Sequence, residues 1–355
     1  MLVWWHLSRN NSRPEKKLAN RFAQSERMVM THSIRRVRLA AATAAAALVL
    51  STTIAAAQPD ANRPIRMVVA VAAGGSTDIV ARAVAARFTE RTGQQVVVDN
   101  RPGAGGVIGL ELVVKSPPDG HTLIMGPGSF GTLNSFFPKA PDIQKELAPI
   151  ALLATSPYLL VVQSKLPVHS VKELIAYARE RPGKLTYSGS TVTSLQRLSG
   201  EHLKRMAGID MLFVPYKGTG ALMPDLLAGR LDVAFDNVLV LTTYVKSGQL
   251  RALAVTGAKR SVVMPQLPTI SEAGVAGFQS AGWFGVFSPV KTPAAVITRL
   301  NAEFTALMEA PGLRDRLIAQ GAEPLSGPPD ALRKHLAREI ETWSRLIREA
   351  GLKVN

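Results

Sequence analysis

The sequence contains no cysteine. Disulfide bonds, thiolate metal sites, a cysteine nucleophile and a lipidated N-terminal cysteine are therefore excluded. The six histidines are scattered along the chain without the spacing of a metal-binding motif. No serine is followed by a histidine in a recognised catalytic motif, and the glycine-rich stretch 103–106 lacks the G-x-G-x-x-G pattern of dinucleotide-binding loops. From these absences we expect a protein that is not an enzyme and that holds no metal ion and no cofactor.

Acidic residues are few relative to basic ones, and the formal net charge is +16. Residues 1–57 hold nine Lys or Arg residues against two Glu residues, a balance of +7, which leaves +9 for the rest of the chain. That remaining charge is spread without a basic run and without interleaved aromatic residues. This distribution is typical of a solvated surface, so we expect no nucleic acid as a partner.

Residues 1–57 have the pattern of an export signal with an N-terminal extension. A basic segment at 35–38 precedes an alanine-rich apolar run at 39–54, and the alanines at 55–57 supply an A-x-A cleavage site before Gln58. The apolar run is about 16 residues long, which is short for a membrane span. We therefore favour a cleaved signal peptide, and a permanent N-terminal anchor is the alternative.

Residues 67–78 are the stretch around which the rest of the chain is organised. The unbroken apolar run at 67–71 predicts a strand that is buried on both faces. Gly74 and Gly75 permit a sharp turn, and the polar residues 76–78 can cap a following helix. A strand, a glycine turn and a helix start in that order place several backbone N–H groups at one point, which favours anion binding. The alternative is that the two glycines only form a tight turn.

Apolar runs and helical periodicities alternate along the rest of the chain. This alternation predicts an α/β fold with a doubly wound sheet, in which ligands sit beyond the carboxyl ends of the strands. Gly74, Gly75 and residues 126–129 would lie at such ends. An apolar run at 150–162, interrupted at 155–157, is placed to cross from one domain to another. Further strands are predicted at 95–98, 122–126, 185–187, 211–214, 232–235, 250–256 and 283–287, and helices at 107–115, 171–181, 195–207, 219–228, 294–308, 313–320 and 330–350.

Several segments resemble, in the same order, those of the Bug family of TctC-like proteins, the periplasmic substrate-binding proteins of tripartite tricarboxylate transporters. The segments are PIRMVVAVAAGGSTDIVAR, VVVDNRPGAGGVIG, SPPDGHTLIMG, VPYKGTGALMPDLLAGRLDVAFDN and LRALAVTGAKR with LPTISEAG. The resemblance extends from Pro64 to the C-terminus. It implies a two-domain Venus-flytrap fold of the type II periplasmic binding class, which closes on a small carboxylate ligand. It also implies a periplasmic location and membrane transporter subunits as partners, and we expect a monomer.

The resemblance also implies which residues bind the ligand. In that family two loops hold one carboxylate, largely through backbone N–H groups and ordered waters. The first loop maps onto residues 73–78 and the second onto 188–194, where Thr191, Val192 and Thr193 stand at positions that usually hold glycines. An aspartate that contacts the distal part of the ligand maps onto Asp236. The expected ligand-binding residues are Ala73, Gly74, Gly75, Ser76, Asp78, Ser129, Ser190, Thr191, Thr193, Ser194 and Asp236.

Three features near these loops have alternative interpretations. Asp78 stands in the first turn of a predicted helix, where its charge alone would favour the helix dipole. Arg197 stands where the family often has a histidine. It either pairs with Glu201, four residues later on the same helix face, or helps to hold an anion. Residues 100–103 fit turn formation better than ligand binding.

The sequence as a whole favours a solute-binding receptor that delivers a small carboxylate to a tripartite tricarboxylate-type transporter. A ligand sensor of the same fold without a dedicated transporter is the first alternative, and an α/β enzyme is a weaker one. A transcription regulator would need a helix-turn-helix within residues 1–57, which they do not resemble. We expect one lobe from 59–158 together with 257–355, and a second lobe from 159–256.

We predict that the mature protein begins at Gln58, after export and cleavage. Because the chain offers three candidate translation starts, Met1, Met28 and Met30, the precursor's own start is left open. Mass spectrometry of the N-terminus of the protein isolated from its native host is the measurement. Recovery of an uncleaved protein in the membrane fraction would contradict the prediction.

Overall fold

Strand β1 (Ile65–Val69) and helix α1 (Ser76–Thr92) form the strand–turn–helix unit that the glycine pair predicts. The structure, a computed structural model, describes residues 63–353, so the predicted export signal lies outside the described residues. β1 is buried along nearly all of its length, as its unbroken apolar run requires. Gly93 ends α1 in the left-handed conformation, with φ 72°, and its N–H donates to the Thr89 carbonyl.

The other elements of residues 63–353 continue this alternation of strands and helices. The strands are β2 (Val96–Asn100), β3 (Thr122–Pro127), β4 (Leu147–Gln163), β5 (Thr186–Ser188), β6 (Leu212–Phe213), β7 (Val233–Asn237), β8 (Leu250–Val255), β9 (Ala281–Pro289) and β10 (Glu323–Pro324). The helices are α2 (Val107–Val114), α3 (Leu133–Phe136), α4 (Ile143–Glu146), α5 (Val171–Glu180), α6 (Leu195–Ala207), α7 (Thr219–Ala228), α8 (Val238–Lys246), α9 (Ala294–Glu309), α10 (Pro311–Ala319) and α11 (Pro329–Glu349). Short 3₁₀ turns lie at Ala104–Gly106 and Gly128–Gly131.

Within the described chain, one mixed sheet of ten strands connects these elements. Its order is β2-β1-β3-β9-β4-β7-β5-β6, and both β8 and β10 pair with β4 beside this path. At one end β2, β1 and β3 run parallel, and β9 is antiparallel to β3 and β4. At the other end β5 runs parallel to β6 and to β7. The sheet therefore has two α/β halves that share β4.

Strand β4 has 17 residues and belongs to both halves. Its part from Leu147 to Pro157 pairs with β9, and its part from Tyr158 onward pairs with β7 and β8. The run predicted to cross between domains is thus one continuous strand. The change of partners falls directly after Pro157, a residue that has no N–H to donate to a neighbouring strand. We call the part with β1–β3, β9 and β10 the first half, and the part with β5–β8 the second half.

The side chain of Thr256, directly after β8, connects β4 with the segment that leads into β9. Its hydroxyl accepts a hydrogen bond from the Tyr158 N–H at 2.9 Å and donates one to the Ser280 carbonyl at 2.6 Å. Its own N–H donates to the Tyr158 carbonyl, and its carbonyl accepts from the Ser280 N–H, both at 2.9 Å. Thr256 is fully buried. One residue therefore satisfies backbone groups of β4 and of the segment that leads into β9.

Each half has an apolar core on both faces of its sheet. Alternate residues of β1 enter different clusters, with Met67 on the face of α1 and Val68 on the opposite face, as the period of a strand requires. On the first face the rings of Phe88 and Phe304 pack at 5.2 Å between centroids. The second half likewise has one cluster around Phe235 and another that contains α7 and α8 residues. These cores fix the strand ends from which the loops of the site extend.

Helix α8 is missing from the sequence-based prediction. Its sequence, VLVLTTYVK, is rich in β-branched residues, which lower helix propensity and raise strand propensity. In the fold it begins directly after β7, with Asn237 as its N-cap, and it buries Val238 and Leu241. Tertiary packing therefore overrides the local preference. No helix among residues 63–353 combines the length and the apolar character needed to cross a membrane.

We predict that Thr256→Val destabilises the protein by about 2–4 kcal/mol, because it leaves the buried Tyr158 N–H and Ser280 carbonyl without their hydroxyl partner. Thr256→Ser is the matched control, since it keeps the hydroxyl and loses only a methyl group. Urea unfolding of the two variants and the wild type gives the comparison. Equal stability of the valine and serine variants would show that these hydrogen bonds do not hold the halves together.

Candidate functional site

A cavity of about 740 Å³ lies between the two halves of the sheet, beyond the carboxyl ends of β1 and β3. The first half contributes the loop after β1, the turn at 102–106 and the turn after β3. The second half contributes the loop after β5, the segment that leads into α7, and Asn237 at the end of β7. Tyr158, Trp283 and Phe284 form an aromatic part of the wall. This is the position at which ligands bind in open α/β sheets.

The loop after β1 presents the start of helix α1 to the cavity. Gly74 has φ +83°, a conformation that favours glycine, and it turns the chain out of the strand. Gly75 is the N-cap, has φ −78°, and no described side chain caps the helix there. Gly75, Ser76 and Thr77 all line the cavity. The N–H groups of the first helical turn have no intrahelical partner, so they remain available to a ligand or to water.

Asp78 holds this loop from behind and does not line the cavity. Its carboxylate accepts hydrogen bonds from the Gly74 N–H, from Arg82 and from Asn100, each at 3.0 Å. Burial raises the pKa of Asp78, but these hydrogen bonds and the charge of Arg82 outweigh burial and leave the pKa below its ordinary value. The ionised carboxylate thus connects the turn before α1 to the end of β2.

The loop after β5 is fixed by its own hydrogen bonds. Ser194 caps α6 by accepting from the Arg197 N–H, and its hydroxyl lies within hydrogen-bonding distance of the Gly189 and Thr191 carbonyls. Ser190 has φ +56°, an uncommon conformation for a residue other than glycine. A Cβ at Gly189 would lie 2.4 Å from the backbone of Gln196, so only glycine fits there. These contacts therefore fix the shape of the loop, although positions 191–193 lack the glycines that are usual in the family the sequence resembles.

Arg197 does not pair with Glu201, the first of its two predicted roles; its part in holding an anion stays a prediction. Its guanidinium donates to the Val192 carbonyl at 2.7 Å and packs over the ring of Phe213 at 4.4 Å. Glu201, the predicted partner, instead accepts from the Tyr187 hydroxyl and lies 3.4 Å from Lys204. The arginine is 8% exposed. It therefore supports the second loop from behind.

The predicted ligand-binding residues divide into two sets. Those that line the cavity are Ala73, Gly75, Ser76, Ser129, Ser190, Thr191 and Ser194. Gly74, Asp78, Thr193 and Asp236 lie outside the lining. Thr193 is fully buried, and its carbonyl accepts a hydrogen bond from the Thr132 hydroxyl of the first half at 2.7 Å. The structure thus brings both predicted loops to one cavity and places the remaining residues behind its wall.

Asp236 orients three residues of the cavity wall. It is 1% exposed and accepts from the Thr219 hydroxyl at 2.5 Å, the Asn237 N–H at 2.7 Å and the Gln196 amide at 3.4 Å. Burial raises the pKa of Asp236 above its ordinary value, although the hydrogen bonds oppose this shift. Thr219, Asn237 and Gln196 all line the cavity. The carboxyl group therefore acts on the site through its neighbours.

Several cavity residues are absent from the sequence-based prediction. They are Tyr158, Gln196, Tyr216, Lys217, Thr219, Asn237 and Trp283. Pro102 and Gly103, which were predicted to serve turn formation, also line the cavity. The position of Asn237 at the end of a predicted strand is a signal that the sequence alone carries. Tyr158 and Trp283 have none, because each lies within a strand and lines the cavity only through strand pairing, of β4 with β7 at Tyr158 and of β4 with β9 at Trp283.

The electrostatic character of the cavity rests on backbone groups more than on charged side chains. Among the described residues that line it, Lys217 alone carries a charge, and Lys217 is exposed. The Asn237 side-chain amide donates to the Ser76 hydroxyl at 2.8 Å and so connects the second half to the start of α1. The arrangement suits an anion held by N–H groups.

Comparison with known proteins identifies related sequences and structures. A model of the tripartite tricarboxylate transporter family receptor, TctC, matches residues 80–352. The structure of R. palustris Rpa4515 with adipate is 38% identical, with a TM-score of 0.79, and the match covers 82% of this chain and 99% of that one. The periplasmic binding protein BugD is 34% identical, with a TM-score of 0.76 and coverages of 82% and 99%. MatC from Rhodopseudomonas palustris with bound malate is 31% identical, with a TM-score of 0.75 and coverages of 80% and 99%.

We predict that Asp78→Asn lowers the stability of the protein by about 1–2 kcal/mol at pH 7. Because the folded-state pKa is depressed, the ionised carboxylate stabilises the fold above its ordinary pKa of 3.8, and this contribution is lost as the pH falls through the lower folded-state value. The difference between variant and wild type should therefore shrink between about pH 4 and pH 2.

Urea unfolding at a series of pH values measures this difference. Asp315→Asn is the control, because Asp315 is exposed on α10 and makes no hydrogen bond or ion pair within residues 63–353. A stability loss for Asp78→Asn that stayed constant down to pH 2 would contradict a role for the ionised carboxylate.

Proposed function

The chain belongs to the tripartite tricarboxylate transporter receptor (TctC) family, and on that basis we propose that it captures a small carboxylate in the cavity between its two halves. The family that the sequence motifs predict is confirmed. The predicted fold class, an α/β periplasmic binding protein in two lobes, is confirmed as well. The single observation that carries the proposal is the uncapped start of α1, which lines the cavity opposite the loop after β5. Related proteins with bound adipate and malate point to short dicarboxylates as candidates.

Backbone hydrogen bonds alone suffice for useful affinity. A helix start offers up to four N–H groups without intrahelical partners. Hydrogen bonds to a charged group contribute roughly 1.5–3 kcal/mol each, so three of them contribute about 5–9 kcal/mol before ordering costs. Micromolar binding corresponds to about 8 kcal/mol. The ligand carboxylate therefore needs no side-chain cation at the start of α1.

Closure of the two halves around the ligand is part of the proposal. The hydrogen bonds from Asn237 to Ser76 and from Thr132 to the Thr193 carbonyl connect the halves beside the cavity. The second lobe expected from the sequence, 159–256, stays a prediction; β4 changes partners beside its first boundary, at Tyr158. A bound ligand would stabilise the closed arrangement relative to the open one. The stabilisation equals the difference between the ligand's binding free energies for the two arrangements.

The location and the partner of the receptor complete the proposal. We place the mature protein in the periplasm after cleavage before Gln58, where it would deliver its ligand to the membrane subunits of a tripartite tricarboxylate-type transporter. Membership of the family supports this role. The proposed role is ligand capture and release without chemical conversion, in keeping with the receptor family to which the chain belongs.

We predict that Gly75→Val weakens adipate binding at least about 100-fold, whereas Lys217→Ala weakens it less than about 5-fold, as expected for an exposed charge. The valine is compatible with the fold, because φ at Gly75 is −78° and a Cβ there meets only the Ala72 carbonyl at 3.7 Å. Its branched side chain would occupy the approach to the helix start. Isothermal titration calorimetry with adipate measures both affinities.

Two controls accompany this experiment. The melting temperatures of the ligand-free variants should match that of the wild type, which shows that the valine blocks the site and does not unfold it. The dimethyl ester of adipate should not bind the wild type. Normal binding by Gly75→Val together with complete loss in Lys217→Ala would show that a salt bridge, and not the backbone, holds the ligand.

A further inference from the structure

The hydroxyl of Tyr158 is a polar group without a partner in the wall of the cavity. Tyr158 is 2% exposed and lines the cavity at the point where β4 changes partners from β9 to β7. Within residues 63–353 its hydroxyl makes no hydrogen bond, whereas the Tyr187 and Tyr216 hydroxyls donate to Glu201 and Asp225. Since Tyr158 lines the cavity, this unbonded hydroxyl is available to a molecule bound there.

The backbone of Tyr158 is held in place by Thr256. Its N–H and its carbonyl are both bonded to Thr256 at 2.9 Å. The hydroxyl lies above Gly282, and a Cβ at that position would stand 2.9 Å from the phenol oxygen. Gly282 also lines the cavity. Glycine at position 282 therefore leaves room for the hydroxyl inside the cavity.

The hydroxyl is a donor at every physiological pH. Burial, with smaller contributions from the charges of Glu339 and Asp236, raises the pKa of Tyr158 well above its ordinary value. The phenol consequently stays protonated. Its natural partner is an acceptor oxygen. Within residues 63–353 no acceptor is bonded to it, although Asn237 Oδ1, which is buried and also lacks a partner, would lie 3.2 Å from the same Cβ position at Gly282.

We infer that Tyr158 binds the ligand by donating a hydrogen bond to a second oxygen function, one that lies further along the molecule than the carboxylate held at α1. This inference rests on the proposed function and specifies the ligand class for that site. The ligand is a short carboxylate whose far end carries a carboxylate or hydroxyl oxygen. A carboxylate with a plain hydrocarbon end would leave the tyrosine unpaired, so Tyr158 discriminates against it.

The surroundings of Tyr158 fit such a two-ended ligand. Trp283 and Phe284 line the same cavity with apolar surface that can cover the hydrocarbon between the two ends. The Trp283 indole donates to Glu339 at 3.2 Å behind the wall, so its own polar atom is already paired and its ring is held in place. The tyrosine hydroxyl is thus a single donor set into an aromatic wall.

Calorimetry with three matched probes tests the inference: hexanoate, 6-hydroxyhexanoate and adipate share one chain length and differ only at the far end. Tyr158→Phe should bind hexanoate within about 2-fold of the wild type. It should bind 6-hydroxyhexanoate roughly 3–10-fold more weakly and adipate at least about 10-fold more weakly, since hydrogen bonds to charged groups are the stronger ones. The ratio between the last two probes shows which oxygen function the tyrosine prefers.

Tyr244→Phe on α8 is the control, because it removes a phenol hydroxyl outside the cavity lining and should leave all three affinities unchanged. An equal loss of affinity for all three probes in Tyr158→Phe would show a structural role only and would overturn the inference. Unchanged affinities for all three would overturn it as well. Failure of the wild type to bind any of the three probes would overturn the proposed function itself. The wild-type titrations alone give that result, so it is distinguishable from a failure of the inference about Tyr158.

Discussion

The open start of helix α1 is the constraint on which the site depends. Most helices in proteins satisfy their first N–H groups with a side chain at the N-cap, and Gly75 has none to offer. The cost of leaving these groups unpaired is acceptable only where water or a ligand can reach them. The rest of the loop keeps these N–H groups accessible, since Gly74 turns the chain and the Asp78 carboxylate holds the turn from behind. A capping residue at position 75 would stabilise the helix and close the site.

Buried acids support the cavity without entering it. Asp78 fixes the first loop, Asp236 orients residues of three helix starts, and Glu339 accepts from the indoles of Trp283 and Trp343. Burial raises the pKa of Glu339, as it does that of Asp236. Because each carboxyl group lies behind the wall, the cavity presents donors to the ligand while the acceptors face the protein. An anionic ligand therefore meets N–H and O–H groups whose orientation is already set.

Local sequence signals account for much of the fold and for about half of the candidate site. The glycine pair and the apolar run before it were enough to place β1, α1 and the first loop, because all three depend on neighbours in sequence. Helix α8 was missed since its β-branched residues favour a strand until tertiary packing is included. Tyr158 and Trp283 were missed for a related reason. Their apolar neighbours mark only a buried strand, and strand pairing decides which face lines the cavity.

The position of β9 in the sheet has a consequence for how the protein reaches its folded state. β9 lies between β3 and β4, although more than a hundred residues of chain separate it from β4 in sequence. A chain that is synthesised N-terminus first cannot complete its first half until Ala281–Pro289 has been made. The second half, by contrast, is formed by one contiguous stretch of chain that begins at Tyr158 and contains β5–β8, so it can form earlier. Pairing over such a separation is slow, so the first half is the slower of the two to complete its sheet.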